Sequence, residues 1–358
     1  MEIQDYRKRI DALDLEIVRL INERAECARS IGEAKEKHGC AAYIPERERQ
    51  VLDRVAAASA GPLPPAAIQA IYREVMSACR AVEQPLAIAY WGPPASNTHV
   101  AARQRFGTSV QFVETGSVAD VFSAVERGAA NFGVVPVENS TEGVISRSLD
   151  MFLNCDLQIC AETYVPIQHN LLSHAASLQD VRRVYTMFQA TAQCRDWINR
   201  NLGHAELVET TTTARGAELA SHDPETGAIA NLYASEYYQV PVLAAQIEDN
   251  PRNRTRFWVV GNLRPKPSGR DKTSLIFSVP HRPGALVQAL STFAEYGVSL
   301  TFIESRPTKQ TPWEYVFFVD LQGHPDDPDS ALARALPSFQ ERCIFTRLLG
   351  SYPEAENS

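Results

Sequence analysis

The chain has 358 residues, which suits two or three domains, and its formal net charge of −8 argues against a nucleic-acid partner. With 44% hydrophobic residues each domain can bury a core, and no apolar run approaches the ~20 residues that cross a bilayer, so no membrane partner is expected. The seven cysteines are odd in number, scattered and without a C-x-x-C pair, which reads as reduced thiols of a cytoplasmic protein with no metal site. The charged amphipathic start has no signal-peptide h-region.

Residues 1–84 read as all-helical. The first helix should run to about His38 and stop at Gly39. Its seam follows a seven-residue repeat: Ile3, Ile10, Ile17, Arg24, Ile31 at one position and Tyr6, Leu13, Leu20, Cys27, Ala34 at the other. Arg24 stands where the fourth isoleucine should be. A guanidinium there needs a buried carboxylate or an anionic ligand. A second helix follows Pro45, with Val51, Leu52 and Val55 on its apolar face. After Gly61–Pro65 a third carries Ile68, Ile71, Tyr72, Val75, Cys79 and Val82. A first helix of ~57 Å, at 1.5 Å per residue, is too long for two short helices to cover. A homodimer of interlocked helices solves this.

From Leu86 the pattern becomes α/β. Leu86–Trp91, Phe132–Val137 and Thr255–Val260 read as strands; Val118–Arg127, Ala192–Leu202 and Ala214–Ser221 read as helices. Polar groups follow a buried strand at Gly133–Gly143, a usual ligand position in α/β sheets. Others lie at a loop-to-helix junction with Thr186, Gln189 and Gln193, at Glu209 before four threonines, and at Asn253–Phe257 just before a strand. Arg264–Arg270 is a linker by composition. Beyond it, strand Thr273–Val279, helix Ala285–Tyr296, strands Val298–Glu304 and Trp313–Leu321, helix Ser330–Phe339 and strand Cys343–Leu349 make a ferredoxin-like βαββαβ order. The expected domains are 1–84, 86–263 and 272–350.

In the helical module Lys35 lies three turns from Arg24 and about 20° away around the axis, so both can reach one small ligand. Arg7 is rotated by roughly 100° and can join only from a partner's helix. Arg47 and Glu48 open the second helix, and Glu83 lies one turn after Cys79. Several cations and two carboxylates, with no nucleophile, suit binding and shaping a dianion. These pieces (R-x-x-I-D-x-L-D at Arg7–Asp14, Glu23-Arg24, G-x-A-K at Gly32–Lys35 and P-E-R-E at Pro45–Glu48) resemble the all-helical chorismate mutase family. The resemblance implies that Arg7 of a partner, Arg24 and Arg47 hold the carboxylates of chorismate. It implies Lys35 and Glu83 at the ether oxygen and Glu48 at the ring hydroxyl. Catalysis would be conformational selection plus stabilisation of charge at the breaking C–O bond. A helical dimerisation arm with surface Arg–Glu pairs is the alternative.

Val135–Gly143, Gln193-Cys194, Glu209–Thr212 and Asn253–Phe257 together resemble prephenate dehydratase. The resemblance implies two α/β lobes with prephenate in the cleft and phenylpyruvate as product. Thr255 would help the ring hydroxyl leave, with Arg256 beside it and Asn139, Thr186, Gln193 and Glu209 around the substrate. Two departures stand out. The family's first loop, G-P-x-G-T-[FY]-[ST], reads Gly92-Pro93-Pro94-Ala95-Ser96-Asn97-Thr98, which loses the second glycine and the aromatic. The family's Ser-His pair reads Thr186-Met187. A rival reading is therefore a prephenate decarboxylase that does not aromatise, or a central module that only binds.

Gly284-Ala285-Leu286-Val287 and Glu304-Ser305-Arg306-Pro307 resemble the ACT regulatory domain, in which these segments line an L-phenylalanine site between paired domains. Ser299 stands where Asn is usual. A dimerisation domain that binds nothing is the alternative. No cofactor is implied. The combined resemblance is to bifunctional chorismate mutase/prephenate dehydratases inhibited by L-phenylalanine.

Overall fold

A computed structural model describes residues 2–38, 43–308 and 314–355, apart from the side chains of 36–38. The expected helix stop at Gly39 and strand start at Trp313 lie outside the described residues. The chain packs as two compact units, residues 1–87 with 105–111 and residues 88–104 with 112–358.

The first unit holds α1 (Ile3–His38), α2 (Pro45–Ala58) and α3 (Pro65–Glu83). Pro45 and Pro65 begin their helices at a position that has no amide hydrogen to place, and Glu46 and Glu48 favour the positive end of α2. Val51, Leu52 and Met76 form the small core, with Val55 and Tyr72 against it. The end of α1 lies close to α3: a Cβ at Gly32 would come within 2.7 Å of Glu83 Cγ. From Glu2 to Leu20, α1 is exposed all round, and Ile71 and Val82 of α3 are 52% and 54% exposed rather than packed within the chain.

The second unit begins with β1 (Ala87–Trp91), α4 (Asn97–Phe106), β2 (Gln111–Thr115), α5 (Val118–Glu126), β3 (Phe132–Asn139), β4 (Gly143–Val144), α6 (Ser146–Met151) and β5 (Gln158–Pro166). The chain then crosses to a second lobe. That lobe holds β6 (Asn170–Ser173), β7 (Arg183–Thr186), α7 (Phe188–Gln193), α8 (Arg195–Asn201), β8 (Glu206–Glu209), α9 (Thr213–Ala220), β9 (Thr226–Ala230), α10 (Leu232–Tyr238) and β10 (Val242–Ala244). It returns with β11 (Arg254–Gly261) to the first lobe, whose sheet runs β2-β1-β3-β11-β5 with β4 beside β3. The second sheet runs β10-β6-β9-β7-β8. Both faces of the central strands are buried, as continuous apolar runs such as Phe257–Val260 require.

The single helix expected over 192–202 is instead two, α7 and α8, broken at Cys194. The amide of Asp249 takes the Gln193 carbonyl at 2.7 Å, and the Asp249 carboxylate accepts from the Asp196 amide at 3.2 Å. One aspartate thus ends the first helix and caps the next.

The C-terminal part of this unit is β12 (Asp271–Ser278), α11 (Ala285–Glu295), β13 (Leu300–Pro307), β14 (Tyr315–Gln322), α12 (Ala331–Glu341) and β15 (Phe345–Pro353). The antiparallel order β13-β14-β12-β15 is the ferredoxin-like arrangement. Strand alternation sends Leu275 and Phe277 to Phe293 and Phe339 of the helices. The opposite face of β12 carries Lys272, Ser274, Ile276 and Ser278. At Gly350 the backbone of β15 presses on β5, where an added Cβ would meet the Ile159 carbonyl oxygen at 2.1 Å. Only glycine fits that approach.

Candidate active sites

In the helical unit, Lys35 Nζ lies 2.8 Å from Glu83 Oε1, and both side chains are mostly buried. Arg24 is half-buried on the same helix, whereas Arg7 and Arg47 are exposed. Glu48 is buried and paired with Arg80 and Arg105. The two guanidinium groups also sit over the ring of buried Tyr43, at 5.1 and 5.7 Å. Desolvation, the largest effect, and the Glu48 charge push the Tyr43 phenol up, against two arginines that pull it down. The sequence reading missed Arg80, although a cation four residues after Met76, on the packed side of α3, is the same signal that Arg24 gives on α1.

In the first lobe, β3 and β11 pair Asn139 with Thr255. Asn139 Nδ2 donates to Thr255 Oγ1 at 2.9 Å, and both residues are buried. The amides of Thr141 and Glu142 fix Asn139 Oδ1 at 2.9 and 3.0 Å, which sets the amide the right way round. Thr255 accepts from Asn139, so its own hydrogen remains to be donated.

Gln193, at the end of α7, reaches across to this lobe. Its Oε1 accepts from His169 Nε2 at 2.8 Å and from Asn253 Nδ2 at 3.0 Å, and its Nε2 donates to Glu142 Oε1 at 2.7 Å. Burial holds the His169 ring below its ordinary pKa, against the opposing pull of Gln193, Glu248 and Glu142. A neutral ring with its hydrogen on Nε2 satisfies the bond. His169 and Asn253 sit where the chain crosses between lobes, and the Ile167 amide bonds the Asn253 carbonyl at 2.9 Å. Asn253 and Glu142 fall inside motifs visible in the sequence; His169 has no such signal.

Thr186 and Glu209 form a second group. They pair in register at the ends of parallel strands β7 and β8. Thr186 is buried and accepts from Thr191 Oγ1 at 3.3 Å, and Glu209 is exposed. The altered first loop keeps a glycine-like turn: Ala95 holds φ +64°. Its amide donates to His99 Nδ1 at 3.1 Å, and Asn231 Nδ2 donates to the Ala95 carbonyl and to Asn97 Oδ1, both at 2.9 Å. These bonds hold a non-glycine residue in the left-handed region.

Arg256 does not share the Thr255 site, a correction that follows from strand alternation. Thr255 and its neighbour point to opposite faces. Arg256 is buried against Glu162 at 2.7 Å and Asp320 at 2.6 Å.

In the C-terminal sheet, Gly284, Ala285, Leu286 and Val287 line a cavity of about 640 Å³ with His281 and Arg347. Gly284 has φ +79°, which suits its place just before α11. Glu304, Ser305, Arg306 and Pro307 do not line this cavity within one chain. They lie on edge strand β13, and Arg306 instead binds Asp150 at 2.9 Å and Ser146 at 3.0 Å. Among the described residues, no group of three or more His, Cys, Asp or Glu is placed to hold a metal, and no helix is long and apolar enough to cross a membrane.

The family models for chorismate mutase type II, prephenate dehydratase and the ACT domain match residues 6–84, 88–265 and 273–331. The chain is 43% identical over 358 residues to the bifunctional chorismate mutase/prephenate dehydratase of Aquifex aeolicus, covering 99% of this chain and 98% of the relative. It is 43% identical over 353 residues to that of Neisseria gonorrhoeae, covering 98% and 96%. Among solved structures, a prephenate dehydratase in complex with L-Phe from Arthrobacter aurescens is 35% identical, with TM-score 0.69, covering 76% of this chain and 91% of that one. GqqA, a quorum quenching acylase, is 31% identical with TM-score 0.68, covering 75% and 98%. With near-complete coverage on both sides, this chain belongs to the family of bifunctional chorismate mutase/prephenate dehydratases.

Proposed function

We propose a division of labour for this bifunctional enzyme. The helical unit rearranges chorismate to prephenate. Arg24, Arg47 and Arg7 of a partner helix hold its two carboxylates, and Lys35 stabilises the ether oxygen as the C–O bond breaks and the new C–C bond forms. Glu83 positions Lys35, and Glu48 holds the wall through Arg80. The uncovered length of α1 supports a homodimer of interlocked helices.

Prephenate is then aromatised between the two lobes. The bond to the ring carboxylate breaks and CO2 leaves. Its electron pair enters the ring, the ring C–O bond breaks, and the hydroxyl departs as water after taking a proton. Thr255 donates a hydrogen bond to that departing oxygen, with Asn139 orienting it. Gln193, Thr186 and Glu209 position the rest of the substrate. The observation that carries this reading is the Asn139–Thr255 bond, which leaves a buried hydroxyl poised to donate. L-Phenylalanine occupies the cavity at Gly284–Val287, completed by Glu304–Pro307 of a paired domain, and inhibits the second step allosterically. The enzyme works in the cytoplasm, with its cysteines reduced.

Incubating the purified chain with chorismate and identifying products tests this. Prephenate should appear and give way to phenylpyruvate. Arrest at prephenate would sink the dehydratase half, and a decarboxylated product that keeps the ring hydroxyl would favour the non-aromatising rival.

A further inference from the structure

Behind the strand that carries Thr255 lies a cluster of charges that the chemistry does not use. Arg256 Nε donates to Glu162 Oε2 at 2.8 Å, and its two other nitrogens reach Asp320 Oδ2 at 2.6 Å and the Tyr352 hydroxyl at 3.2 Å. Lys272 Nζ donates to both Glu162 oxygens, at 2.8 and 3.1 Å. Ser274 closes the ring, donating to Asp320 Oδ1 and bonding the Tyr352 hydroxyl at 2.7 Å. Every member is more than nine-tenths buried. Two cations face two carboxylates, so the cluster is neutral as a set. Burial alone would raise the Glu162 pKa, but Arg256 and Lys272 outweigh it and hold the carboxyl below its usual range.

A buried cluster of this kind contributes little net stability compared with apolar packing, and such groups are retained where they fix one arrangement. Here they fix the central sheet against the C-terminal sheet. Glu162 and Arg256 belong to β5 and β11; the other members belong to β12, β14 and β15. The contact runs in both directions along single strands. On one side Arg256 is the immediate neighbour of Thr255. On the other, Lys272 and Ser274 share a face of β12 with Ile276 and Ser278, which line the 640 Å³ cavity. On β14, Asp320 likewise shares a face with cavity-lining Val316.

We propose that Arg256 is a positioning residue for Thr255, clamped by the C-terminal sheet, and that occupancy of the cavity reaches the dehydratase site through this clamp. A small shift of β12 or β14 changes the Asp320 and Tyr352 contacts of Arg256 and so moves the β11 backbone that sets the Thr255 hydroxyl. The inhibitory part rests on the reading that phenylalanine is the effector.

The test compares the full-length chain with Tyr352→Phe, which removes one hydroxyl, and Asp320→Asn, which removes one charge at constant shape. Measured quantities are dehydratase kcat and KM, mutase kcat, phenylalanine affinity by calorimetry, and the phenylalanine concentration for half inhibition. The clamp predicts at least a fivefold loss of dehydratase kcat with KM within twofold and mutase kcat unchanged. It also predicts half inhibition shifting at least fivefold away from an unchanged affinity. A variant that keeps wild-type kcat, and in which inhibition still tracks affinity, overturns the proposal. Parallel loss of mutase and dehydratase turnover in both variants overturns it too, because it marks general unfolding. If the wild-type chain neither binds nor responds to phenylalanine, the effector reading fails, and the kcat–KM split alone decides the positioning role.

Discussion

The ammonium of Lys35 and the carboxylate of Glu83 pair at 2.8 Å, joining the end of the longest helix to the end of the third. The family resemblance implies that Glu83 donates to the ether oxygen. In this chain Lys35 Nζ donates to Glu83 Oε1, and the proposed function gives the donor role at the ether oxygen to Lys35. Lys35→Met should therefore cost mutase turnover more than Glu83→Gln, which keeps a polar partner for the ammonium. By analogy with other oxyanion donors the loss at Lys35 is about 10²–10³. Mutase assays on both full-length variants check the ranking, and a larger loss for Glu83→Gln would return the donor role to residue 83.

Arg24 gives a cleaner separation of the two activities. Arg24→Ala should abolish mutase turnover while prephenate supplied directly is still converted. The fold should tolerate the change, because removing a half-buried charge from an apolar seam is often neutral. Equal loss of both activities would contradict separate sites.

Thr255→Val keeps the shape and removes the hydroxyl. The dehydratase rate should fall about 10²–10³, as for other transition-state donors, with mutase turnover intact. A fall under threefold would assign Thr255 to structure.

The N-R-T-R-F block shows which part of this site is legible in a sequence. Its residues arrive together, and two of them, Asn253 and Thr255, bond the motif residues Gln193 and Asn139. Arg256 does not, since period-two alternation turns it to the opposite face. That rule needs only the knowledge that 254–261 is a strand. The ferredoxin-like order is legible for the same reason, because helix and strand periods succeed one another along the chain. The partners of Glu48 are not, because Arg80 and Arg105 lie 32 and 57 positions away and no local pattern joins them. His169 escaped because its bond to Gln193 joins residues 24 positions apart that no local pattern links. The loss of glycine at position 95 suggests a changed loop, but the bond from the Ala95 amide to His99 and the bond from Asn231 to the Ala95 carbonyl hold the alanine in a left-handed turn.

His99 gives that loop a pH dependence. Burial, the main cause, with help from Arg103, lowers its pKa from 6.5 to about 4. The ring stacks on Tyr90 at 4.5 Å and must stay neutral to accept from Ala95. The unfolded chain binds the proton more readily, so this stabilisation is complete above pH 6.5 and is lost as pH falls toward 4. His99→Asn keeps an acceptor for the Ala95 amide and does not titrate. Melting temperatures measured from pH 7 to pH 4 should fall more steeply in the wild type than in His99→Asn, and parallel curves would show that His99 does not couple to folding.

The last prediction concerns the C-terminal cavity. Phenylalanine that binds the folded chain and not the unfolded one should raise the melting temperature by mass action, and inhibit dehydration if the inhibited state binds it better. The amide-rich start of α11 behind Gly284 suits the amino-acid carboxylate, and Ile276 and Phe317 suit the ring. Gly284 holds φ +79°, where a β-branched side chain is strained, so Gly284→Val should weaken phenylalanine binding at least tenfold. Mutase turnover should not change, since the helical unit does not contain this segment. Calorimetry on the wild type and Gly284→Val decides the matter. Absence of any wild-type binding at millimolar phenylalanine would remove the effector, and equal affinity in the two proteins would move its site away from the start of α11.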